Sequence, residues 1–126
     1  MKPLLRYPET RREPPIHEFS VASSIAELVE HHAGSQRVEK ITVDNGVLSG
    51  VFADSLVFYL ELIMEEKGSK GVKVEVREVP ARCACECGEV YETRRFTDPC
   101  PKCGGFKRRI ESGKECMVES LEVADG

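Results

Sequence analysis

The sequence predicts an α+β fold, in which a two-layer domain of two helices on a three-stranded sheet carries an inserted zinc-ribbon-like module of two hairpins. Apolar residues recur at helical spacing in some segments and at strand spacing in others. These patterns predict, in chain order, a helix, a strand, a helix, a strand and, near the end of the chain, a third strand. Five of the six cysteines fall between Cys83 and Cys103, between the last two predicted strands. This segment is too short for a hydrophobic core of its own, so we expect a metal to stabilise it.

The first helix is predicted over residues 19–33. Ser20 is the predicted N-cap, and Gly34 stands where helices commonly end. One side of this helix is marked at helical spacing by Val21, Ile25, Leu28, Val29 and His32, with Ala22, Ala26 and Ala33 on the same side. His31 and His32 are interpreted as surface residues that interact favourably with the negative end of the helix dipole.

The second helix is predicted to begin with Asp54 as its cap and to end at Gly68. Its buried side is formed by Leu56, Val57, Leu60, Ile63 and Met64. Phe58, Tyr59 and Leu62 extend the apolar surface around much of the helix, so we expect it to pack on more than one side.

Three segments alternate apolar and polar residues, as half-buried strands do. They are residues 38–48, 72–79 and 115–123. Pro80 ends the second segment. Cys116 lies in the third, far from the other cysteines, and is interpreted as a small half-buried side chain.

Two cysteine knuckles, meaning pairs of cysteines on one tight turn, indicate a four-thiolate zinc site. Cys100 and Cys103 have the usual two-residue spacing. Cys87 has two candidate partners, Cys85 with one residue between or Cys83 with three between. Cys85 is preferred because the pair then lies on one short turn, which would leave Cys83 as a spare thiol at a strand end.

Disulfides are the competing interpretation of the cysteines. No secretory signal is visible, so we expect the reducing cytoplasm, and neighbours one or two residues apart rarely bridge each other without strain. No apolar run approaches the length of a membrane span. A closed zinc site leaves no open position for catalysis, and no Ser-His-Asp set, phosphate loop or HExxH motif occurs, so we predict no enzyme.

The charge distribution argues against nucleic-acid binding. The net charge is −4, with a net −5 on residues 17–80 and a net +3 on residues 81–114. Binding of Zn²⁺ by four thiolates reduces that local positive charge further. The alternative function is nevertheless a zinc-ribbon module that binds nucleic acid or a transcription complex. Its basic residues would be Arg94, Arg95, Lys107, Arg108 and Arg109.

The order of these features resembles the HypA/HybF family of hydrogenase maturation proteins, which are nickel metallochaperones. The resemblance covers about residues 16–123. It rests on HEFSV at 17–21, VLSGV at 47–51, LVF at 56–58, PAR at 80–82, CPKCG at 100–104, GKEC at 113–116 and LEV at 121–123. The one-residue spacing in the first knuckle departs from the family's commoner form and resembles a variant among archaeal members.

The resemblance implies two metals. His17 and Glu18 match the family's nickel-binding dipeptide, with Ni(II) as transient cargo, although such a pair at a helix start is otherwise most often a solvated or capping pair. Cys85, Cys87, Cys100 and Cys103 match its ligands for a structural Zn(II). Imidazole, carboxylate and main-chain nitrogen all suit Ni²⁺.

The resemblance also implies partners, and the composition and periodicity of the chain predict its division. A HypB-type GTPase and the [NiFe]-hydrogenase large subunit are the expected partners, a homodimer is allowed, and neither nucleic acid nor a membrane is expected. Residues 1–15 are predicted to be a flexible N-terminal arm. Residues 16–80 plus 115–126 form the predicted nickel-binding α+β domain, and residues 81–114 the structural zinc-binding module.

One departure from the family lies at the nickel dipeptide. In the family the His-Glu pair follows the initiator methionine, so a free α-amine lies beside the imidazole. Here Ile16 occupies that place and fifteen residues precede it. Our hypothesis is that translation starts at Ile16 from an unusual codon or that the arm is trimmed, and the intact mass of the native protein tests it.

Overall fold

The computed structural model describes the backbone of residues 14–124 and the side chains from residue 17 onward. Residues 1–13 of the predicted arm lie outside the described residues. The described elements are α1 (Pro14–Ala33), β1 (Val38–Gly46), α2 (Ala53–Glu66), β2 (Lys73–Val79), β3 (Ala81–Cys85), β4 (Val90–Thr93), β5 (Arg108–Ser112) and β6 (Cys116–Val123). Within residues 14–124, no helix is long and apolar enough to cross a membrane.

The body of the protein is a three-stranded sheet in the order β2-β1-β6, packed with α1 and α2. β1 runs parallel to β2, which α2 connects to it, and antiparallel to β6. The central strand is the most buried, with Ile41 and Val43 fully inaccessible. Apolar residues from both helices join these valines and isoleucines in one core, as the alternation of the strands predicts.

A second three-stranded sheet, in the order β4-β3-β5, lies in the chain between β2 and β6. β3 pairs antiparallel with both neighbours and so forms two hairpin-like pairs. The predicted fold class is therefore confirmed, with two helices, a three-stranded sheet and an inserted zinc-ribbon-like module. We call residues 81–114 the zinc module.

Both predicted helix N-caps, Ser20 and Asp54, are wrong. α1 begins at Pro14, so Ser20 lies inside it, and two prolines occupy a first turn whose N–H groups have no helical partner in any case. α2 begins at Ala53, after Phe52 as N-cap, and Asp54 lies in its first turn. A carboxylate there still interacts favourably with the positive end of the helix dipole.

The expectation that α2 packs on more than one side is met only in part among the described residues: Tyr59 packs against the core, whereas Phe58 and Leu62 do not. Leu56, Leu60 and Met64 are buried. Phe58 and Leu62 are 61% and 47% exposed. The apolar character of this outer face therefore has no counterpart in the described fold.

The zinc module is joined to the body by closely packed backbone. Gly46 N–H donates to the carbonyl of Glu115 at 2.8 Å, and Leu48 N–H donates to the carbonyl of Gly113 at 2.9 Å. Gly113 has φ +105, and a Cβ there would lie 2.4 Å from Ala81 Cα. Only glycine fits at this position, where the segment that enters the zinc module passes close to the segment that leaves it.

Candidate metal centres

Four cysteines converge at one end of the second sheet. The Sγ atoms of Cys85, Cys87, Cys100 and Cys103 all lie within 4.8 Å of one another. The Sγ–Sγ distance is 3.6 Å between Cys85 and Cys103 and 3.7 Å between Cys87 and Cys100. Tetrahedral zinc with Zn–S bonds of about 2.3 Å holds its sulfurs about 3.8 Å apart. The donor set and its spacing therefore fit a zinc ion.

The first knuckle follows directly from the end of β3. Cys85 N–H donates to the carbonyl of Glu89 at 2.8 Å, and Gly88 N–H donates back to the carbonyl of Cys85 at 2.9 Å. Gly88 has φ +100, a conformation that side-chain-bearing residues rarely adopt. This turn brings Cys87 back beside Cys85 although one residue separates them.

The second knuckle is a tight turn closed by Gly104 N–H, which donates to the carbonyl of Cys100 at 2.9 Å. Two further backbone N–H groups point at sulfur. Lys102 N–H donates to Cys100 Sγ, and Gly105 N–H donates to Cys103 Sγ, each at 3.4 Å. Such donors stabilise thiolates, the form that binds zinc.

The thiols of the cluster differ in acidity. Burial is the largest influence on Cys100 and raises its pKa, but the backbone N–H groups of Cys103 and Lys102, with neighbouring thiols, lower the pKa to about 7. For Cys85 the backbone N–H of Cys87 lowers the pKa, but burial and the neighbouring thiols together raise it to about 12. Zinc must therefore displace protons from this cluster when it binds at neutral pH.

The other two cysteines lie outside the cluster. Cys83 is fully buried in β3, where it pairs with Tyr91 on one side and Ile110 on the other. Cys116 is half-buried in β6, and burial raises its pKa. The structure thus brings Cys85, and not Cys83, together with Cys87.

His17 and Glu18, which we call the head of α1, are adjacent but differ in exposure. The side chain of His17 is 54% exposed and that of Glu18 is 0% exposed. His17 Nδ1 lies 3.5 Å from Glu18 Oε2, and Phe52 N–H donates to the same Oε2 at 2.9 Å. Glu18 Oε1 is buried and has no hydrogen-bond partner among the described residues. The imidazole is therefore the accessible donor at the head.

The main-chain nitrogen at the head is also part of the helix. Because α1 begins at Pro14, the N–H of Glu18 lies within helical geometry. In an α-helix that N–H donates to the carbonyl four residues earlier. A main-chain nitrogen at this position becomes available to a metal only when the first turn of the helix opens.

The remaining candidate groups do not form a further cluster. His31 and His32 are exposed in the last turn of α1, as predicted, with ring centroids 5.6 Å apart. Across residues 17–124, the four cysteines are the only group of three or more His, Cys, Asp or Glu side chains placed closely enough to share a metal.

Three of the basic residues that the alternative function would use are engaged within the chain. Arg108 donates to the carbonyls of Phe96 and Asp98 at 2.6 Å each. Arg109 pairs with Glu111 at 3.0 Å, and Arg94 lies 3.7 Å from Glu78 on β2. These contacts place acceptor oxygens beside three of the five basic side chains and do not favour a nucleic-acid surface.

The comparisons with known proteins agree with this geometry. Residues 16–123 match the family described as hydrogenase/urease nickel incorporation, metallochaperone, hypA. The chain is 38% identical over 109 residues to the hydrogenase maturation factor HypA of Geobacter metallireducens, covering 86% of this chain and 99% of that protein. It is 36% identical over 117 residues to HypA of Roseiflexus, covering 87% and 94%.

Solved structures show the same fold. The solution structure of the Ni metallochaperone HypA from Helicobacter pylori aligns with a TM-score of 0.61 and 27% identity, covering 84% of this chain and 96% of that chain. A second HypA solution structure aligns with a TM-score of 0.62 and 27% identity, covering 86% and 97%. The chain belongs to the HypA family of nickel metallochaperones for hydrogenase maturation.

Proposed function

We propose that this nickel metallochaperone carries Ni(II) at the head of α1, with the imidazole of His17 as the principal ligand and Glu18 as its neighbour in the site. The observation that carries the proposal is the exposed imidazole at the start of the region that matches the family. Imidazole nitrogen is a good ligand for Ni²⁺. An exposed site with few protein ligands also lets the ion leave, which a carrier requires.

The zinc site has a different role in this proposal. Cys85, Cys87, Cys100 and Cys103 hold a structural zinc, which stays with the protein while nickel is passed on. Four thiolates close the tetrahedron and leave no position for a substrate. The buried cluster of the module contains only Cys83, Cys85, Tyr91 and Cys100, with Ile110 against it. A core this small gains most of its stability from the metal.

The chain acts as a carrier and not as an enzyme. It works in the cytoplasm, delivers nickel toward the [NiFe]-hydrogenase large subunit, and cooperates with a HypB-type GTPase. The match to a family of hydrogenase/urease nickel incorporation metallochaperones supports the delivery step. The exposed apolar residues of α2, Phe58 and Leu62, are available to a partner or to a second copy of the chain.

Complementation tests this function. A bacterium that lacks its own HypA is supplied with the wild-type chain or with His17→Ala, and hydrogenase activity is measured in nickel-limited medium. The wild type restores activity, the variant does not, and excess nickel restores activity to both strains. His31→Ala, which changes an exposed histidine elsewhere on α1, restores activity like the wild type. Restoration by His17→Ala in limiting nickel would refute the proposal.

A further inference from the structure

We infer that Glu18 is a positioning residue of the nickel site: its buried carboxylate orients His17 and caps α2, and it does not itself bind nickel. The nickel part of this inference rests on the proposed function. The structural part stands on the contacts of Glu18 alone. Its Oε2 accepts the N–H of Phe52 at 2.9 Å and lies 3.5 Å from His17 Nδ1.

The contact with Phe52 supplies a cap that α2 lacks. Phe52 is the N-cap of α2, has extended backbone, and makes no side-chain cap hydrogen bond among the described residues. In a capping box, a glutamate of the same helix accepts the N–H of the N-cap residue. Here the glutamate comes from α1, 34 residues earlier in the chain. Its negative charge also faces the positive end of the α2 dipole.

The backbone that Glu18 contacts is held firmly in place. Asn45 Nδ2 donates to the carbonyl of Val51 at 3.1 Å, and Ser49 Oγ donates to Asn45 Oδ1 at 2.6 Å. Val51 N–H donates to Ser49 Oγ at 3.1 Å. Because this loop leads directly into Phe52, the N–H that Glu18 accepts has a fixed position, and the carboxylate acquires one as well.

A fixed carboxylate determines how the imidazole of His17 is presented. A metal-binding histidine commonly donates its second ring N–H to a carboxylate, which sets the tautomer and the ring orientation. Glu18 Oε2 lies 3.5 Å from Nδ1 of the exposed ring, so a fixed carboxylate restrains the orientation in which the ring meets the ion. Glu18 therefore acts on nickel through His17.

Direct ligation by Glu18 would disrupt these contacts. The side chain is 0% exposed, so reaching an ion at the surface requires the carboxylate to move outward. That movement breaks the bond to Phe52 and uncaps α2. The second oxygen, Oε1, is buried without a hydrogen-bond partner among the described residues. Burying a carboxylate in that state is costly, and among the described residues the hydrogen bond from Phe52 to Oε2 offsets part of the cost.

The test compares Glu18→Gln, Glu18→Ala and the control Glu27→Ala, an exposed glutamate of α1, in the zinc-loaded full chain. Nuclear magnetic resonance follows hydrogen exchange at the Phe52 amide and the ring nitrogens of His17 without nickel, and calorimetry measures Ni²⁺ affinity. We expect Glu18→Gln, which keeps an acceptor oxygen, to retain Phe52 protection and to bind nickel within about threefold of wild type. We expect Glu18→Ala to lose both, with nickel affinity about 10- to 100-fold weaker.

Each alternative outcome is distinguishable. If Glu18 is a ligand, Glu18→Gln loses as much nickel affinity as Glu18→Ala while Phe52 stays protected, and the inference is overturned. Unchanged Phe52 protection in Glu18→Ala would overturn the capping role. If wild type binds no nickel, the proposed function fails, and the Phe52 and His17 signals still decide whether Glu18 positions them. If Glu18→Ala does not fold, Glu18→Gln alone separates ligand from positioning residue.

Discussion

Adjacent residues at the head of α1 have opposite surroundings, and the sequence does not reveal this. The resemblance to a family indicates His17 and Glu18 as a pair. The structure exposes the imidazole and buries the carboxylate against the N–H of Phe52. That partner was missed because a backbone amide has no residue-type signature and lies 34 positions away. The VLSGV segment before Phe52 was the available signal.

The cysteines give a second prediction at the scale of single residues. We expect Cys85→Ser to lose zinc and Cys83→Ser to retain it, because only Cys85 lies in the four-sulfur cluster. Cys83→Ser instead destabilises the module by about 1–3 kcal/mol, since a hydroxyl replaces a fully buried thiol. Zinc content by atomic emission and urea unfolding measure the two effects. Cys116→Ser, at the half-buried cysteine of β6, is the control and keeps its zinc.

The reverse pattern would contradict this assignment. Zinc lost from Cys83→Ser and retained in Cys85→Ser would mean that the first knuckle has three residues between its ligands. The spacing of the cysteines alone left both pairings open. The turn at Gly88 favours Cys85 as the partner of Cys87, because it places these two cysteines side by side although only one residue separates them.

At the scale of elements, the start of α1 controls access to main-chain nitrogen. A chain beginning at Ile16 presents an α-amine next to His17 and lacks the helical turn that engages the peptide nitrogens. We expect this trimmed chain to bind Ni²⁺ at least about tenfold more tightly than the full chain, about 1.4 kcal/mol. Competition with a metal indicator measures the affinities.

The trimmed chain carrying His17→Ala serves as the control and should bind weakly. Equal nickel affinity of the full and trimmed chains would show that the preceding residues do not limit the site. The helix start was mispredicted because apolar periodicity begins only at Val21, whereas prolines in the first turn are already compatible with helical backbone.

The two faces of α2 give a matched pair of substitutions. Leu60 is fully buried and Leu62 is 47% exposed. We expect Leu60→Ala to lower the free energy of unfolding by about 2–5 kcal/mol and Leu62→Ala to change it by less than about 0.5 kcal/mol. Urea unfolding followed by circular dichroism measures both. A loss at Leu62 as large as that at Leu60 would indicate that another chain covers this face in solution.

At the scale of the whole molecule, the fold could be predicted from the sequence to the level of element order. The switch between helical and alternating periods placed both helices and all three body strands, because burial of one face imposes those periods. The position of the second sheet relative to the body could not be predicted. It depends on backbone contacts of Gly46 and Gly113, and glycines leave no apolar pattern. The proposed domain limits, residues 16–80 plus 115–126 for the α+β domain and residues 81–114 for the zinc module, remain predictions.

The joint between body and zinc module gives a prediction at this scale. We expect Gly113→Ala to destabilise the protein by more than about 2 kcal/mol, because the new Cβ meets Ala81 and the residue has φ +105. Gly34→Ala also has a positive φ but meets nothing within 4 Å, so it should cost only about 1 kcal/mol. Thermal unfolding compares them, and equal effects would contradict the close crossing.

The proposed function places nickel at the head of α1. Calorimetric titration of the zinc-loaded chain with Ni²⁺, in wild type, His17→Ala and His31→Ala, tests it most directly. We expect about one nickel per chain for wild type and for His31→Ala, and loss of that binding in His17→Ala. Nickel binding by His17→Ala with wild-type affinity and stoichiometry would contradict it.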